Sequence, residues 1–264
     1  MPFTLAHPAA AVPLCRPMGR YGVLSALVIG SLVPDIWYLA PEFVSRNDSH
    51  GIAGLFWFCV PAGLALYLLY YHALKRPLIA LLPFRLAGRL ASDARLPAKP
   101  LPAVLLSLLA GSMTHNVWDS FTHPQGRAAR VLSWLGAPLF SVGHLELYGA
   151  TLLQYASGVL GLGLIGWWSL RARTACVPFN GQPGPALAPG TRAWILSALL
   201  AASLAGMAVK LAMLAQGEPL DFRTIRATLR PALQSGLKML AVAVAFYAAL
   251  WWLWTVRSGG ARGH

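Results

Sequence analysis

The residues that could do chemistry in this chain are few, seven histidines and eight acids, and their densest group is Thr114-His115-Asn116-Val117-Trp118-Asp119-Ser120-Phe121-Thr122-His123-Pro124. A helix carries residues i, i+4 and i+8 along one face with a drift of about 40° per step. His115, Asp119 and His123 therefore present two imidazoles and a carboxylate side by side, a donor set that suits a divalent cation. Thr114, Asn116, Ser120 and Thr122 stand beside them as groups able to orient the ligands. The competing reading is a polar helix end that hydrogen-bonds to lipid headgroups.

Other segments offer partners. In Gly30-Ser31-Leu32-Val33-Pro34-Asp35 an apolar run ends on a carboxylate just after a proline, and Ser49-His50 opens the next run. Taken singly, Asp35 reads as a helix-terminal residue and His50 as a cap. On one membrane face with 115–123 they converge. His7 has two readings. If residues 5–16 form a short helix, N-capped by Thr4, that folds back on the following run as a hairpin, His7 returns to the neighbourhood of Asp35. If that arm lies flat on the membrane surface, His7 is an interfacial histidine. His144 and Glu146 could add ligands or a general base, although i, i+2 on a helix points them apart. His72, beside Lys75 and Arg76, and His264, in a Gly/Arg tail, read as surface residues.

The elements that must position these groups lie in a membrane. Of the 264 residues 57% are hydrophobic and 11% charged, against about 25% charged in a soluble domain. Runs near the ~20 residues that cross a bilayer occur at 21–40, 51–72, 101–121, 144–168, 192–215 and 236–256. The expectation is an all-α, polytopic bundle of six spans with a short N-terminal half-helix. It divides into a site-bearing membrane domain over 1–168, a Pro/Gly-rich cytoplasmic linker over 169–191 and two scaffold helices with a basic tail over 192–264. The net charge of +13 would suggest nucleic acid in a soluble protein. Here Lys75, Arg76, Arg85, Arg89, Arg95 and Lys99 crowd one loop beside the single acid Asp93, which is the orientation signal of a cytoplasmic loop. No nucleic-acid partner is expected, and the C-terminus falls on the cytoplasmic side. Seven of the eight acids, Asp35, Glu42, Asp48, Asp119, Glu146, Glu218 and Asp221, fall towards the opposite face. Cys15, Cys59 and Cys176 lack metal-site or disulfide spacing, and MPFTLAHPAAAVPL, without an early basic residue, reads as structure and not as a cleavable signal.

The opening MPFTLAHPAAAVPL, the block ALVIGSLVPD with His50 fifteen residues later, and SMTHNVWDSFTHPQG resemble an uncharacterised bacterial membrane family whose members begin MPFTxxHPA. That family is similar to the YdjM-like inner-membrane metal-dependent hydrolases. More remotely the order of residues resembles the zinc-dependent phospholipase C and P1-type nuclease group. The resemblance covers about the first 165 residues. It implies that Asp35, His50, His115 and Asp119 hold one metal, that Asp119 bridges to a second near His7, and that His123 serves a further one. His144 and Glu146 depart from the group's spacing.

These readings add up to an expectation: a membrane-embedded metal-dependent hydrolase of a phosphoester such as a lipid headgroup, at the outer face of a bacterial inner membrane. Zinc is the first choice of metal, with manganese or iron as alternatives. Asp119 would ligate or bridge. Asp35 would ligate or accept a proton from water, and Arg46, Arg127 or Arg130 would hold phosphate. The alternative is a non-enzymatic protein, a metal or proton transporter or an assembly scaffold. A transporter needs its ligands near the bilayer midplane, whereas Asp35, His50 and His123 sit at helix ends. The PSGH element of phosphatidic acid phosphatases and the GxSx turn of intramembrane serine proteases are missing. Substrate and oligomeric state are left open by the sequence.

Overall fold

The computed structural model describes residues 4–39, 41–82, 99–142, 145–172, 187–214 and 222–260. Arg85, Arg89, Asp93 and Arg95 of the basic loop, His144, Cys176, residues 178–186 of the linker, Glu218, Asp221, Arg262 and His264 lie outside them. The described residues are almost wholly helical, and among them four helices are long and apolar enough to cross a membrane: Ile52–Ala80, Gly149–Ser169, Pro189–Leu214 and Pro231–Arg257. Together with the composition, they make this a helical membrane protein. The chain forms two compact units, Met1–Leu68 with Ala98–Cys176, and Leu69–Pro97 with Val177–His264.

In the first unit, α1 (Thr4–Cys15) and α2 (Leu24–Tyr38) are short apolar helices joined by a turn that needs Gly19 in the left-handed region at φ 54°. Pro8 is tolerated because it stands at the first helical position of the α-helical turn Pro8–Ala11, where its missing N–H costs nothing. The amide that Pro34 lacks cannot continue an α-helical ladder, and from Val33 to Tyr38 helix α2 tightens into 3-10 geometry. The run at 21–40 is thus a shorter element than its hydropathy suggests.

Next comes α3 (Arg46–His50), started by a reciprocal capping box between Ser45 and Asp48, then α4 (Ile52–Ala80). Within α4, wider π turns at Leu55–Cys59 and Tyr70–Leu74 accommodate the backbone ahead of Pro61 and Pro77.

The site is built on α5 (Leu101–Thr122), whose buried face runs Val104, Leu108, Gly111, His115, Asp119 and Thr122. It packs on α2 through small residues. A Cβ added at Gly30 would strike the Leu108 carbonyl, and one at Gly111 the Leu27 carbonyl. Ser112 donates to the Gly30 carbonyl at 3.0 Å, while Ser107 donates to the Tyr21 carbonyl and accepts from the Val23 amide, both at 2.9 Å. Lipid tails are as apolar as leucine, so burial alone gives little drive for such helices to associate. Close backbone approach and these serine bonds do the holding.

After α6 (Arg127–Val131) and α7 (Ser133–Gly136) comes an antiparallel hairpin, β1 (Pro138–Val142) with β2 (Leu145–Tyr148), pairing Ser141 with Glu146 and Val142 with Leu145. The all-α architecture carries this one hairpin among the described residues. Helix α8 starts at Gly149 and runs to Ala172, so Leu145–Tyr148 of the run at 144–168 belong to the hairpin.

In the second unit, α9 (Pro189–Leu214) and α10 (Phe222–Gly260) interlock. Gly206 faces Met239 and Gly236 faces Met207, and Ser203 donates to the Gly236 carbonyl at 3.1 Å. The end of α4 joins them. Trp252 donates its indole N–H to the Ala73 carbonyl at 2.9 Å, the acceptor that Pro77, four residues on, leaves without an amide. The Tyr247 hydroxyl donates to the Pro77 carbonyl at 2.9 Å.

Candidate metal centre

His7, Asp35, His50, His115, Asp119 and His123 meet at one place in the first unit. Asp119 is the hub. Its Oδ1 lies 3.3 Å from His7 Nε2, and its Oδ2 lies 3.5 Å from His50 Nε2, 3.7 Å from His115 Nε2 and 3.6 Å from His123 Nδ1. Asp35 Oδ1 stands 3.7 Å from His50 Nε2 and 3.6 Å from His115 Nε2. The rings of His7 and His115 stack with centroids 4.0 Å apart. His7, Asp35, His115 and Asp119 are buried.

Each element contributes for a local reason. The chain of α1 runs back along α2, which returns His7 to the end of α2 that carries Asp35; of the two readings of His7, the structure has the hairpin. Thr4 does not cap α1. Its hydroxyl donates to Asp35 Oδ2 at 2.6 Å and fixes that carboxylate. The 3-10 turn after Pro34 buries Asp35. The capping box before α3 sets His50, one turn on, against the cluster, where Asn116 donates to its backbone carbonyl at 3.2 Å. His123 ends α5 in extended geometry at φ −117°, so it leaves the helical face shared by His115 and Asp119 while keeping its ring beside the carboxylate.

Backbone carbonyls hold the rings. His115 Nδ1 lies 2.8 Å from the Ser31 carbonyl, His50 Nδ1 3.2 Å from the Arg46 carbonyl, and His7 Nδ1 3.2 Å from the Thr4 carbonyl. A carbonyl only accepts, so His115 Nδ1 carries the hydrogen and its Nε2 keeps a lone pair aimed into the cluster; His50 Nδ1 also meets the Ser49 hydroxyl at 2.8 Å, and His7 Nε2 is hydrogen-bonded to Asp119 Oδ1 at 3.3 Å. This is the arrangement by which second partners orient metal-binding histidines.

The donor set fits a divalent cation. Asp35 Oδ1, His50 Nε2 and His115 Nε2 are buried and make no hydrogen bond, an expensive state for polar atoms that nothing else satisfies. These three residues, and likewise His7, His115 and Asp119, bring ligand atoms within 4.8 Å of one another. Four edges of the Asp35, His50, His115 and Asp119 set measure 3.5–3.7 Å. Histidine nitrogens and carboxylate oxygens gathered at such separations are the donor types that zinc and similar divalent cations take. Two buried carboxylates also ask for positive charge. Part comes from Arg46, whose guanidinium lies 3.3 Å from Asp119 Oδ2.

Arg46, Arg127 and Arg130 line a cavity of about 540 Å³ that reaches His50 and Asp119. His123, past the end of α5, is held below the ordinary imidazole value of 6.5 chiefly by burial, which keeps it neutral and able to ligate. Its Nε2 meets the Gln154 side-chain amide at 3.3 Å. Glu146 stays out of the cluster: in β2 it accepts from the Tyr148 hydroxyl, two residues on and on the same side of the strand. Sequence reading missed Gln154 and the Ser31 carbonyl, because both reach the site only through tertiary contact and carry no local signal.

The fold and the cluster define a helical membrane protein with a buried His/Asp centre at the ends of its helices. The chain belongs to the family described as a domain of unknown function, DUF4184, whose sequence profile matches residues 1–251. No curated protein and no solved structure matches the chain.

Proposed function

We propose that the chain is a metal-dependent hydrolase of a phosphoester carried by a lipid headgroup, acting at the outer face of a bacterial inner membrane. One observation carries the reading. The Nε2 atoms of His50 and His115, buried and without a hydrogen bond, face two buried carboxylates, with the His115 ring fixed through Nδ1 by the Ser31 carbonyl, beside a cavity with three arginines. The similarity of the N-terminal, Pro-Asp and H-x3-D motifs to YdjM-like hydrolases, and more distantly to zinc-dependent phospholipase C, supports it.

Asp35, His50, His115 and Asp119 would hold one zinc ion, or manganese or iron, and His7 and His123 extend the donor set around Asp119. When bound, such an ion polarises a phosphoryl oxygen and lowers the pKa of coordinated water towards neutrality. The chain supplies the rest. Arg46, Arg127 and Arg130 orient the phosphate through paired N–H donors. Asp35, with Oδ2 occupied by Thr4, has Oδ1 left to ligate or to accept the proton of the attacking water. The reading has six membrane-crossing segments, with 21–40 and 101–121 completing the four long helices. The site then faces the non-cytoplasmic side and the C-terminus the cytoplasm, in accord with the basic loop at 73–100.

The test is elemental mass spectrometry on detergent-purified wild type and the His115→Ala/Asp119→Ala variant. Stoichiometric zinc, manganese or iron that disappears in the variant is the expected result, followed by cleavage of a phospholipid or lipid phosphate. No stoichiometric metal in either sample overturns the hydrolase and leaves a transporter or scaffold that uses the same groups.

A further inference from the structure

A second cavity lies on the other side of α5. It is a groove of about 630 Å³ between α1, α5 and α8, walled by Ala10, Leu14, Trp118, Phe121 and Leu153, and its size falls within the ~300–1,000 Å³ of ligand pockets. Met113 and Val117, one turn apart on α5 and both about half exposed, border this groove and the arginine cavity alike. They form a ridge with an apolar channel on one side and three guanidiniums on the other. The groove also skirts the histidine cluster: the Trp118 ring lies 6.4 Å from that of His7.

We infer that the groove holds an acyl chain of an anionic lipid whose phosphate sits among Arg46, Arg127 and Arg130. The inference rests on the site being one for phosphate esters. Two features of the molecule select this occupant. The cavity is cationic where a phosphate would lie, and the groove is apolar where it continues across the Met113–Val117 ridge, so a ligand filling both must be charged at one end and hydrocarbon at the other. A chain moving from bilayer to groove leaves one hydrocarbon surrounding for another and gains little. The selectivity therefore comes from the headgroup, and the groove fixes the direction in which the chain leaves the site. Ordinary boundary lipid would fill the groove whatever its head. That difference is measurable.

The full chain in phosphatidylcholine nanodiscs is photolabelled with two probes that carry the same diazirine-bearing acyl chain, one phosphatidic acid and one diacylglycerol, and the labelled peptides are mapped by mass spectrometry. Labelling within 110–121 is expected to be about five-fold or more stronger for the phosphatidic acid, the scale of charge-assisted contacts, and to fall to the diacylglycerol level in the Arg127→Ala/Arg130→Ala variant. Equal labelling by the two probes means boundary lipid only and overturns the proposal, as does an absence of phosphatidic acid label in this segment. The hydrolase reading stands or falls separately. Phosphate-selective labelling without any cleavage of phosphatidic acid removes the hydrolase and keeps the lipid site, whereas cleavage without selective labelling does the reverse.

Discussion

Asp119 has five cationic or cation-binding neighbours, with nitrogens of His7, Arg46, His50, His115 and His123 within 3.3–3.7 Å of its two oxygens. Arg46 competes there with any metal for Oδ2. Arg46→Ala should tighten metal binding several-fold while weakening phosphate binding, because a guanidinium and a dication repel across so short a distance; competition titration with a chelator and phosphate binding by calorimetry read the two effects, and weaker metal binding in the variant would count against the competition. Thr4 works the other way. Thr4→Val strips Asp35 Oδ2 of its donor and should weaken metal binding about 10- to 100-fold, the usual cost of a lost orienting partner, with unchanged affinity as the contrary result. At Asp48 the sign is set by Ser45, whose hydroxyl and amide lie 2.6 and 3.1 Å from Oδ2 and hold the carboxyl below its ordinary value of 3.8. The cap on α3 is thus fully present above that value and is lost as pH falls through the lowered one. Amide exchange in α3 should stay slow until strongly acid pH, and early loosening in mild acid would contradict the cap. His115 and Asp119 were legible in the sequence because both lie on one helix at i, i+4. Thr4's partner was not, since Asp35 is 31 residues away and a threonine before a helix ordinarily signals a cap.

Helices α2 and α5 set the distance between Asp35 and His115, and they do so at two glycines. Leucine at position 111 would collide with the Leu27 carbonyl and lie 2.8 Å from the Ser31 amide, one turn before His115 and beside the carbonyl that orients it. Gly111→Leu should therefore spread the helices and lower metal affinity about ten-fold or more, given ~1–3 kcal/mol for overpacking a close contact. Gly163→Ala in α8, where nothing lies within 4 Å, should bind metal as wild type does and melt no lower, since alanine favours a helix by about 0.5–1 kcal/mol. Metal content and thermal unfolding of the two proteins give the comparison, and equal losses in both would remove the helix-spacing argument. Hydropathy located these elements, but it could not set their ends. The Pro34 turn shortens the ordered helix at 21–40, and the alternation of Pro138–Val142 with Leu145–Tyr148 makes a hairpin inside what a hydrophobicity window reads as the approach to a span.

Across the whole molecule, the ligands come from the first unit, while the second is held by its own interlocking glycines and the Trp252 and Tyr247 bonds to the end of α4. Gly236→Val, which drives a branched side chain towards Met207 and the Ser203 carbonyl, should destabilise α9 against α10 and leave bound metal unchanged; loss of metal in that variant would mean that the units are energetically one. The basic segment at 73–100 was readable from charge alone. The assembly of the centre was not, because His7 and Asp119 are 112 residues apart. That separation has a consequence for biosynthesis. At about 5–20 residues per second, a ribosome takes roughly 6 to 22 s after making His7 to reach Asp119. From the completion of α2 at Tyr38, for about 4 to 16 s of it, α1 and α2 are already made while the carboxylate that joins the histidines does not yet exist. If the proposed metal is bound, a cation arriving early would find half a coordination shell, so loading would belong to the time after α5 has been inserted, and a cell starved of that metal should accumulate full-length, folded and empty protein, not an arrested nascent chain.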